Sequence, residues 1–453
     1  MIAVRCFDSL EQVDALREEI DALNCLAARP DPFSTFAFFE AYLRHDEHHP
    51  AGRGMQLWFL AAFQEDVLIG YVALKRVTRR VLGMPVSTLG FLVTHDNDRP
   101  HVVARPEDLA AVCVSVYGHL LARKDEWSCL EFHQQDDSSA LFPPPAAVDL
   151  GAYLVRDWPT LENCTVPVRW SSLQAYCQAL SSKFRSNLYR QLQVLFAEGD
   201  LALLASSDPA TTPALLELYL SIEPRSWKAQ AHADLGRRRE RVAYVRSLLE
   251  AQQPMKVSIQ VLLIDGVPVA GLINGAFRGG LYALHMVYDD RASRLAPGSA
   301  MLLLGMRQAI EGGYAFFNLL SGFGYYKARW LAQITETRIA QIYRAGGLLF
   351  WRRVMGDCKR RLFPPAQRDP TARFNPVRRF VAARQREPAS TDDLRLGALD
   401  QERADAMVAA VRRGRGEFLS AAELAAVLSV AMRRPARGRR VALESTLKRR
   451  GPG

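Results

Sequence analysis

The chain has 453 residues, 49% of them apolar and 23% charged, which is material for two to three globular cores and excludes a disordered or fibrous protein. Its net charge of +10 is uneven: residues 352–453 hold 24 basic and 11 acidic side chains, whereas residues 1–351 hold 34 and 37. The body is therefore not a nucleic-acid surface by composition, no apolar run reaches membrane-spanning length, and seven scattered cysteines without a C-x-x-C pair read as reduced thiols rather than a disulfide frame or zinc site.

In chain order, MIAVRCFDSLEQVDALREEI is charged and periodic with no signal-peptide core, so a cytoplasmic protein is expected. The spacing predicts a helix over 9–28 with Ser9 as its cap, and a second over STFAFFEAYLRH capped by Ser34. His45–His49 (HDEHH) carries metal-ligand residue types but reads as a loop without fixed spacing, so no metal site is expected. MQLWFLAAFQEDVLIGYVALKRV predicts two strands around a turn at Asp66, and VSTLGFLV a third. Thr94–Asp98 reads as a polar loop, or as one facing a cleft. A helix over PEDLAAVCVSVYGHLLARK, a strand over WSCLEFHQ and a proline-rich break complete this first unit.

The second half repeats the pattern. A long helix, SLQAYCQALSSKFRSNLYRQLQVLFAEG, is basic in its middle, and two further helices follow. KVSIQVLLIDGVPVAGLINGAFRGGLYALHMVYD predicts three strands with turns at Asp265-Gly266 and Gly279-Gly280. The stretch YDDRASRLAPGSAMLL then opens an apolar helix, and YAFFNLLSG is a last strand. Two successive units of helix, strands, helix and strand predict a duplicated α/β (α+β) architecture. The expected division is 1–165 and 166–345, then a basic amphipathic helix over 346–363, a linker over 364–398, a helical hairpin over 399–433 with a Ser420/Glu423 capping box, and a basic disordered tail over 434–453. The helix at 346–363 pairs an apolar face with arginines, a composition suited to the interface of an anionic membrane or to packing on the second domain.

The ordered series KFRSNLYRQLQVL, EPRSWK, YDD…PGSAMLL and FFNLLSGFGYYKARW resembles the FemAB/CelD-like branch of the GNAT acyltransferase superfamily. DPFSTFAFFEAY, LIGYVAL and VSTLG are similar to the first domain of that branch, so the resemblance runs from Met1 to about Phe363. It implies two GNAT-like mixed-sheet domains in tandem, an acyl-CoA such as acetyl-CoA as cosubstrate with no permanently bound cofactor, and an acceptor in the cleft between domains. Relatives acylate cell-wall precursors, amino sugars and other surface-polymer units, some of them using aminoacyl-tRNA as donor. The expected function is acyl transfer to an amine or hydroxyl of a cell-envelope or exopolysaccharide precursor. Aminoacyl transfer from charged tRNA and a non-catalytic GNAT-like scaffold are the competing readings.

The resemblance singles out residues whose types suit this chemistry. Arg291 and Arg294, with the backbone at Gly298, Ser299 and Ala300, would meet the donor pyrophosphate at a helix start; Pro-Gly-Ser is also ordinary punctuation before a helix. Lys327 would stabilise an oxyanion and Tyr326 would protonate the leaving thiolate. Glu223 and His285 are the candidate bases, and His285 shares strand parity with Asp289. Lys183, Arg185 and Arg190, with Trp227 and Lys228, would hold the acceptor; a solvated helix face is the plainer meaning of those cations. Two positions depart from the branch: its phosphate loop is richer in glycine, and its acidic position on the last strand is Asn318 here.

Overall fold

The computed structural model describes residues 2–45, 55–93, 97–230, 235–237, 239–251, 254–322, 327–362, 409 and 416–430. Alternating apolar residues build two eight-stranded mixed sheets, each flanked by helices. The first half contributes β1 (Ala3–Phe7), α1 (Leu10–Asp14), α2 (Arg17–Leu26), α3 (Phe36–His45), β2 (Met55–Gln64), β3 (Val67–Val81), β4 (Met84–Phe91), β5 (Val103–Ala104), α4 (Leu109–Ala122), β6 (Cys129–Gln135), β7 (Tyr153–Pro159) and β8 (Asn163–Pro167). The second contributes α5 (Leu173–Ala179), α6 (Ser182–Glu198), β9 (Leu201–Ser206), α7 (Thr212–Ile222), α8 (Trp227–Gln230), α9 (Arg239–Glu250), β10 (Lys256–Ile264), β11 (Val267–Phe277), β12 (Gly280–Tyr288), α10 (Pro297–Glu311), β13 (Phe316–Ser321), β14 (Gln333–Thr335) and β15 (Arg338–Arg344). Beyond these lie α11 (Leu348–Leu362), β16 (Glu417–Leu419) and α12 (Ala421–Val430).

The duplication is visible in the pairing. In the first sheet β1, β2, β3 and β4 are antiparallel neighbours, and β4 then pairs in parallel with β6 after the α4 crossover. In the second, β9, β10, β11 and β12 are antiparallel, and β12 pairs in parallel with β13 after α10. The sheets also exchange strands. β8 leaves the first half to pair with β13 and β14 of the second sheet. β15 returns from the second half to lie between β6 and β7 of the first. The expected cut at 165/166 thus runs through β8, and a domain ending at 345 contains a strand of the other sheet.

Local sequence chemistry accounts for most element ends. Tight two-residue turns with both residues at positive φ join the hairpins: Glu65-Asp66, Leu82-Gly83, Asp265-Gly266 and Arg278-Gly279. The last corrects the expected Gly279-Gly280, because Gly280 already belongs to β12, where an added Cβ would stand 2.3 Å from the Phe316 ring. The expected first helix breaks into α1 and α2, with Ser9 Oγ accepting from Gln12 N–H. Thr35 rather than Ser34 caps α3, its Oγ1 accepting from Phe38 N–H, while the Ser34 hydroxyl donates to Asp31. The long basic helix divides into α5 and α6 at Leu180-Ser181.

The extension is not a free hairpin. β16 adds antiparallel to the β9 edge, and α12 buries Leu424 and Leu428 in the second core. Ser420 N–H and Oγ–H reach Glu423 Oε2 at 2.9 and 2.8 Å, while Glu423 N–H points back to Ser420 Oγ at 3.4 Å. The expected partner helix over 399–413 lies outside the described residues except for 409, as do the linker 364–398, the tail 434–453 and all of HDEHH except His45. All seven cysteines are free.

The domains share a core. Phe33 and Phe38 of the first half sit among second-domain side chains, edge-on to Tyr282 and Tyr244 at 5.9 and 5.8 Å. Phe38→Ala empties a fully buried site in that shared core. The expected loss is about 3–5 kcal/mol of unfolding free energy, read by urea denaturation; a loss below about 1 kcal/mol would mean that the domains do not depend on this seam.

Candidate functional site

β12 and β13 are parallel but pair only over Gly280–Tyr282 and Phe316–Asn318. Beyond this β13 bulges, with a register shift after Asn318 and Leu320 at φ 57°. Lys327 holds the bulge: its ammonium donates to the carbonyls of Leu319, Leu320 (3.1 Å) and Ser321 (3.0 Å). Burial pulls the Lys327 pKa down to about 8, against the opposing pull of Cys164 and Asp98. All three donors of its ammonium are thereby committed to carbonyls. This corrects the expectation that it points at a reacting oxygen; it shapes the strand end. The expected acid Tyr326, with 323–325, lies outside the described residues.

Asn318 is tied across the two halves. Asn163 Nδ2 donates to both oxygens of Asp98 at 2.8 Å, and Asn318 Nδ2 donates to Asp98 Oδ2 at 2.9 Å. All three residues are buried. The Asn318 carbonyl oxygen accepts from Leu320 N–H at 2.8 Å, which fixes the start of the bulge. Asp98 continues into Arg99 and Asp136, joined by Arg99 Nη1 to Asp136 Oδ2 at 3.0 Å. An aspartate at 318 would set two carboxylates against each other, so asparagine is what this bridge requires.

The other edge of the opening is the end of β12 with the turn leading into α10. Asp289 is fully buried between Arg225 (Nε–Oδ2 2.6 Å) and Arg291 (Nη2–Oδ2 2.8 Å). Burial alone would raise its carboxyl, but hydrogen bonds from Arg291 and Arg225 hold it below the ordinary carboxylate range. Arg225 is further fixed by donating to the carbonyls of Ser221 and Pro268. Gly298 lets the first turn of α10 close on Tyr288, where an added Cβ would stand 3.2 Å from the ring. The amides of Ser299 and Ala300 do not face outward as expected; both turn back to the Ala296 carbonyl, and the Ala300 side chain is core. Arg294 is half-exposed and pairs with Glu198 at the end of α6, 2.6 Å away.

The remaining expected residues divide between the opening and its surroundings. Met286 and Tyr288 pack on the α10 side of the sheet and Val287 on the α7 side. By alternation the buried His285 takes the α7 side too, along with Glu223 at the end of α7. Glu223 Oε2 accepts from Gly236 N–H at 2.7 Å, and among the described residues Oε1 has no hydrogen-bond partner. Lys228 and Trp227 are half-buried just beyond it, the Lys228 amide donating to Ser226 Oγ. On α6, Arg185 is not a ligand-facing cation: it caps α5 through the carbonyls of Gln178 (2.7 Å) and Leu180 (3.2 Å). Lys183 and Arg190 are exposed, Arg190 beside Asn187. The basic start of α6 adjoins the Lys327 segment, where Phe184 meets the buried Trp330 edge-on at 5.1 Å. It is about 22 Å along the helix from Glu198 and Arg294. Among the described residues there is no group of side chains that would hold a metal ion, and no helix long and apolar enough to cross a membrane.

Arg225 and Asn163 were not legible as site residues. Arg225 stands in the EPRSWK stretch beside residues that were singled out, and Asn163 opens a five-residue strand without a motif of its own.

Residues 182–328 match the family model for an acetyltransferase (GNAT) domain. Comparison with curated sequences gives no match. Among solved structures, FemX is 11% identical with a TM-score of 0.48, covering 72% of this chain and 95% of its own. The C-terminal domain of an Agrobacterium fabrum protein named for lysylphosphatidylglycerol synthesis is 14% identical, with a TM-score of 0.46 and coverage of 78% and 97%. A tandem GNAT protein from the clavulanic acid pathway is 11% identical, with a TM-score of 0.42 and coverage of 76% and 99%.

The Asp98 bridge makes a direct prediction. Asn318→Asp should cost about 2–4 kcal/mol at pH 7–8, because a carboxylate oxygen would face Asp98 Oδ2 across the 2.9 Å that the Asn318 amide now bridges. The introduced carboxyl has its folded pKa raised above its unfolded value. The penalty is therefore full above the folded pKa and shrinks as pH falls toward about 4. Denaturant melts of both proteins across pH check this; an equal or growing difference in acid would contradict the bridge.

Proposed function

We propose, from the premise that residues 182–328 form an acetyltransferase domain of the GNAT family, that this chain moves an acyl group from acyl-CoA to an amine or hydroxyl of a cell-envelope or exopolysaccharide precursor. The observation that carries the reading is the parting of β12 and β13 after three residue pairs, beside the start of α10. An extended thioester arm laid in that opening would run along the edge of β12 beyond Tyr282, where β13 no longer pairs with it. Its pyrophosphate would lie toward Gly298 N–H and Arg294, with Arg291 behind them on Asp289. Ser299 and Ala300 would contribute by shaping that turn rather than by donating their amides.

In this reading the acceptor enters from the cleft between the domains. Its amine or hydroxyl attacks the thioester carbonyl, the new C–N or C–O bond forms, and the C–S bond breaks to release CoA thiolate. Glu223 and His285 are the candidates to take the acceptor proton, and Tyr326 to protonate the thiolate. Lys327 and Asn318 act as positioning residues by fixing the bulge that keeps the strands apart. Lys183 and Arg190, exposed near the Lys327 segment, suit an acceptor phosphate. Asn318 serves the Asp98 bridge, so its replacing an acid does not by itself argue for a non-catalytic scaffold. Segment 346–363 would rest the chain on an anionic membrane, at its inner face.

Titration calorimetry with acetyl-CoA tests the donor reading. Saturable binding is expected, weakened about threefold to tenfold by Arg294→Ala and strengthened by Glu198→Ala, which releases the Arg294 guanidinium. Absence of saturable binding with acetyl-CoA and longer acyl-CoAs would overturn it. A thiol-release assay with amino-sugar phosphate acceptors should then show Lys183→Ala raising KM for the acceptor while leaving donor affinity unchanged.

A further inference from the structure

Three of the tight hairpin turns place charged residues at their tips: Glu65-Asp66, Asp265-Gly266 and Arg278-Gly279. The fourth, Leu82-Gly83, places a leucine at φ 51° with 84% of its surface exposed. Leucine is a poor residue for that conformation, which favours asparagine, aspartate or glycine. No burial compensates for it. Met84 beside it is 50% exposed, and Arg79 and Arg80 on the preceding strand are exposed as well.

This hairpin does not stand apart from α11. Val81 and Val86 pack with Leu348, Leu349 and Phe350 of the first turn of α11, over Cys129 and Tyr343. Val81 and Met84 form one cross-strand pair, so Met84 takes the sheet face on which α11 lies. Phe350 meets Trp351 edge-on at 5.3 Å. From there Trp351, Met355 and Leu362 continue along one side of α11, exposed by 55%, 63% and 74%. Arg352, Lys359 and Arg360 are exposed on the same helix. Its one acid, Asp357, is occupied by Arg156, Arg353 and Arg360.

We infer that the β3–β4 hairpin tip and α11 form one composite docking surface for an anionic lipid bilayer. Leu82, Met84, Trp351, Met355 and Leu362 enter the interface, and Arg79, Arg80, Arg352 and Lys359 meet lipid phosphates. This rests on the reading of 346–363 as a membrane contact and adds the second element, which sets the orientation of the body on the bilayer. The apolar side of a single helix only weakly resists rocking of the body about that helix; a second apolar contact, on the hairpin that packs against its first turn, resists that rocking. Charge selects the occupant: four cations around five exposed apolar side chains match an anionic bilayer better than a second copy carrying the same cations.

Co-sedimentation of the full chain with phosphatidylcholine vesicles, with and without phosphatidylglycerol, tests the surface. Binding to the anionic vesicles alone is expected, falling with added salt. Leu82→Asn restores the preferred turn residue and so preserves the fold, yet should weaken partitioning about tenfold, as should Trp351→Ser/Met355→Ser. Arg79→Gln/Arg80→Gln should weaken it about fivefold or more. Absence of binding to the anionic vesicles would overturn both the composite surface and the helix contact. Binding that the helix variant lowers and Leu82→Asn leaves unchanged would overturn the composite surface alone. Concentration-dependent dimerisation abolished by Leu82→Asn, with no vesicle binding, would assign the surface to a second copy instead.

Discussion

The architecture depends on one buried carboxylate. Asp98 receives the amides of Asn163 and Asn318 at the place where the two sheets trade strands. Asn163 is the first residue of the strand that has crossed into the second sheet, and Asn318 is the last residue of β13 that pairs with β12. A buried carboxylate is tolerated only when its oxygens are well supplied with donors. Here those donors come from residues 65 and 220 positions away in sequence. The charge therefore makes the relative placement of the halves specific: sliding one sheet against the other would strand it.

From that anchor the opening follows. Asn318 also receives the Leu320 amide, which turns the chain out of register, and Lys327 gathers the three carbonyls that the bulge exposes. Across the gap, Asp289 performs the matching task by holding Arg225 and Arg291 at the end of β12. Each rim of the opening is thus fixed by a buried ion or ammonium with its hydrogen-bonding capacity filled by the protein. Such groups hold a shape more firmly than loop packing does. The first sheet has the same parallel pair, β4 with β6, also limited to three residue pairs. Its face differs: α11 covers part of it, and the adjoining cavity of about 260 Å³ is lined by Lys75, Arg79, Glu131 and His133.

Much of this was legible in the sequence, for identifiable reasons. The Asp265-Gly266 turn announces β10 and β11 because only a few residues accept positive φ in succession. The α4 and α10 crossovers show as long apolar helices between strands. The helix start at Pro297 was visible, but the direction of its amides was not, since that depends on Ala296 adopting a left-handed conformation. The exchange of β8 and β15 was not legible either. NCTVP and RIAQIYR carry no turn signal that would choose one sheet over another, and their partners are distant in the chain: Pro167 of β8 pairs with Phe316 of β13, and Arg338 of β15 with Gln135 of β6. Lys327 was singled out from a resemblance, yet its surroundings make it a clamp, and only the placement of three carbonyls could reveal that.

The opening between β12 and β13 is where we propose that the acyl donor binds. Hydrogen–deuterium exchange of the full chain with and without acetyl-CoA tests it most directly. Slowed exchange is expected over 283–301 and 316–322, with little change in the first sheet. Slowed exchange confined to 88–93 and 129–135, at the corresponding opening of the first sheet, or no change anywhere at saturating acetyl-CoA, would contradict it.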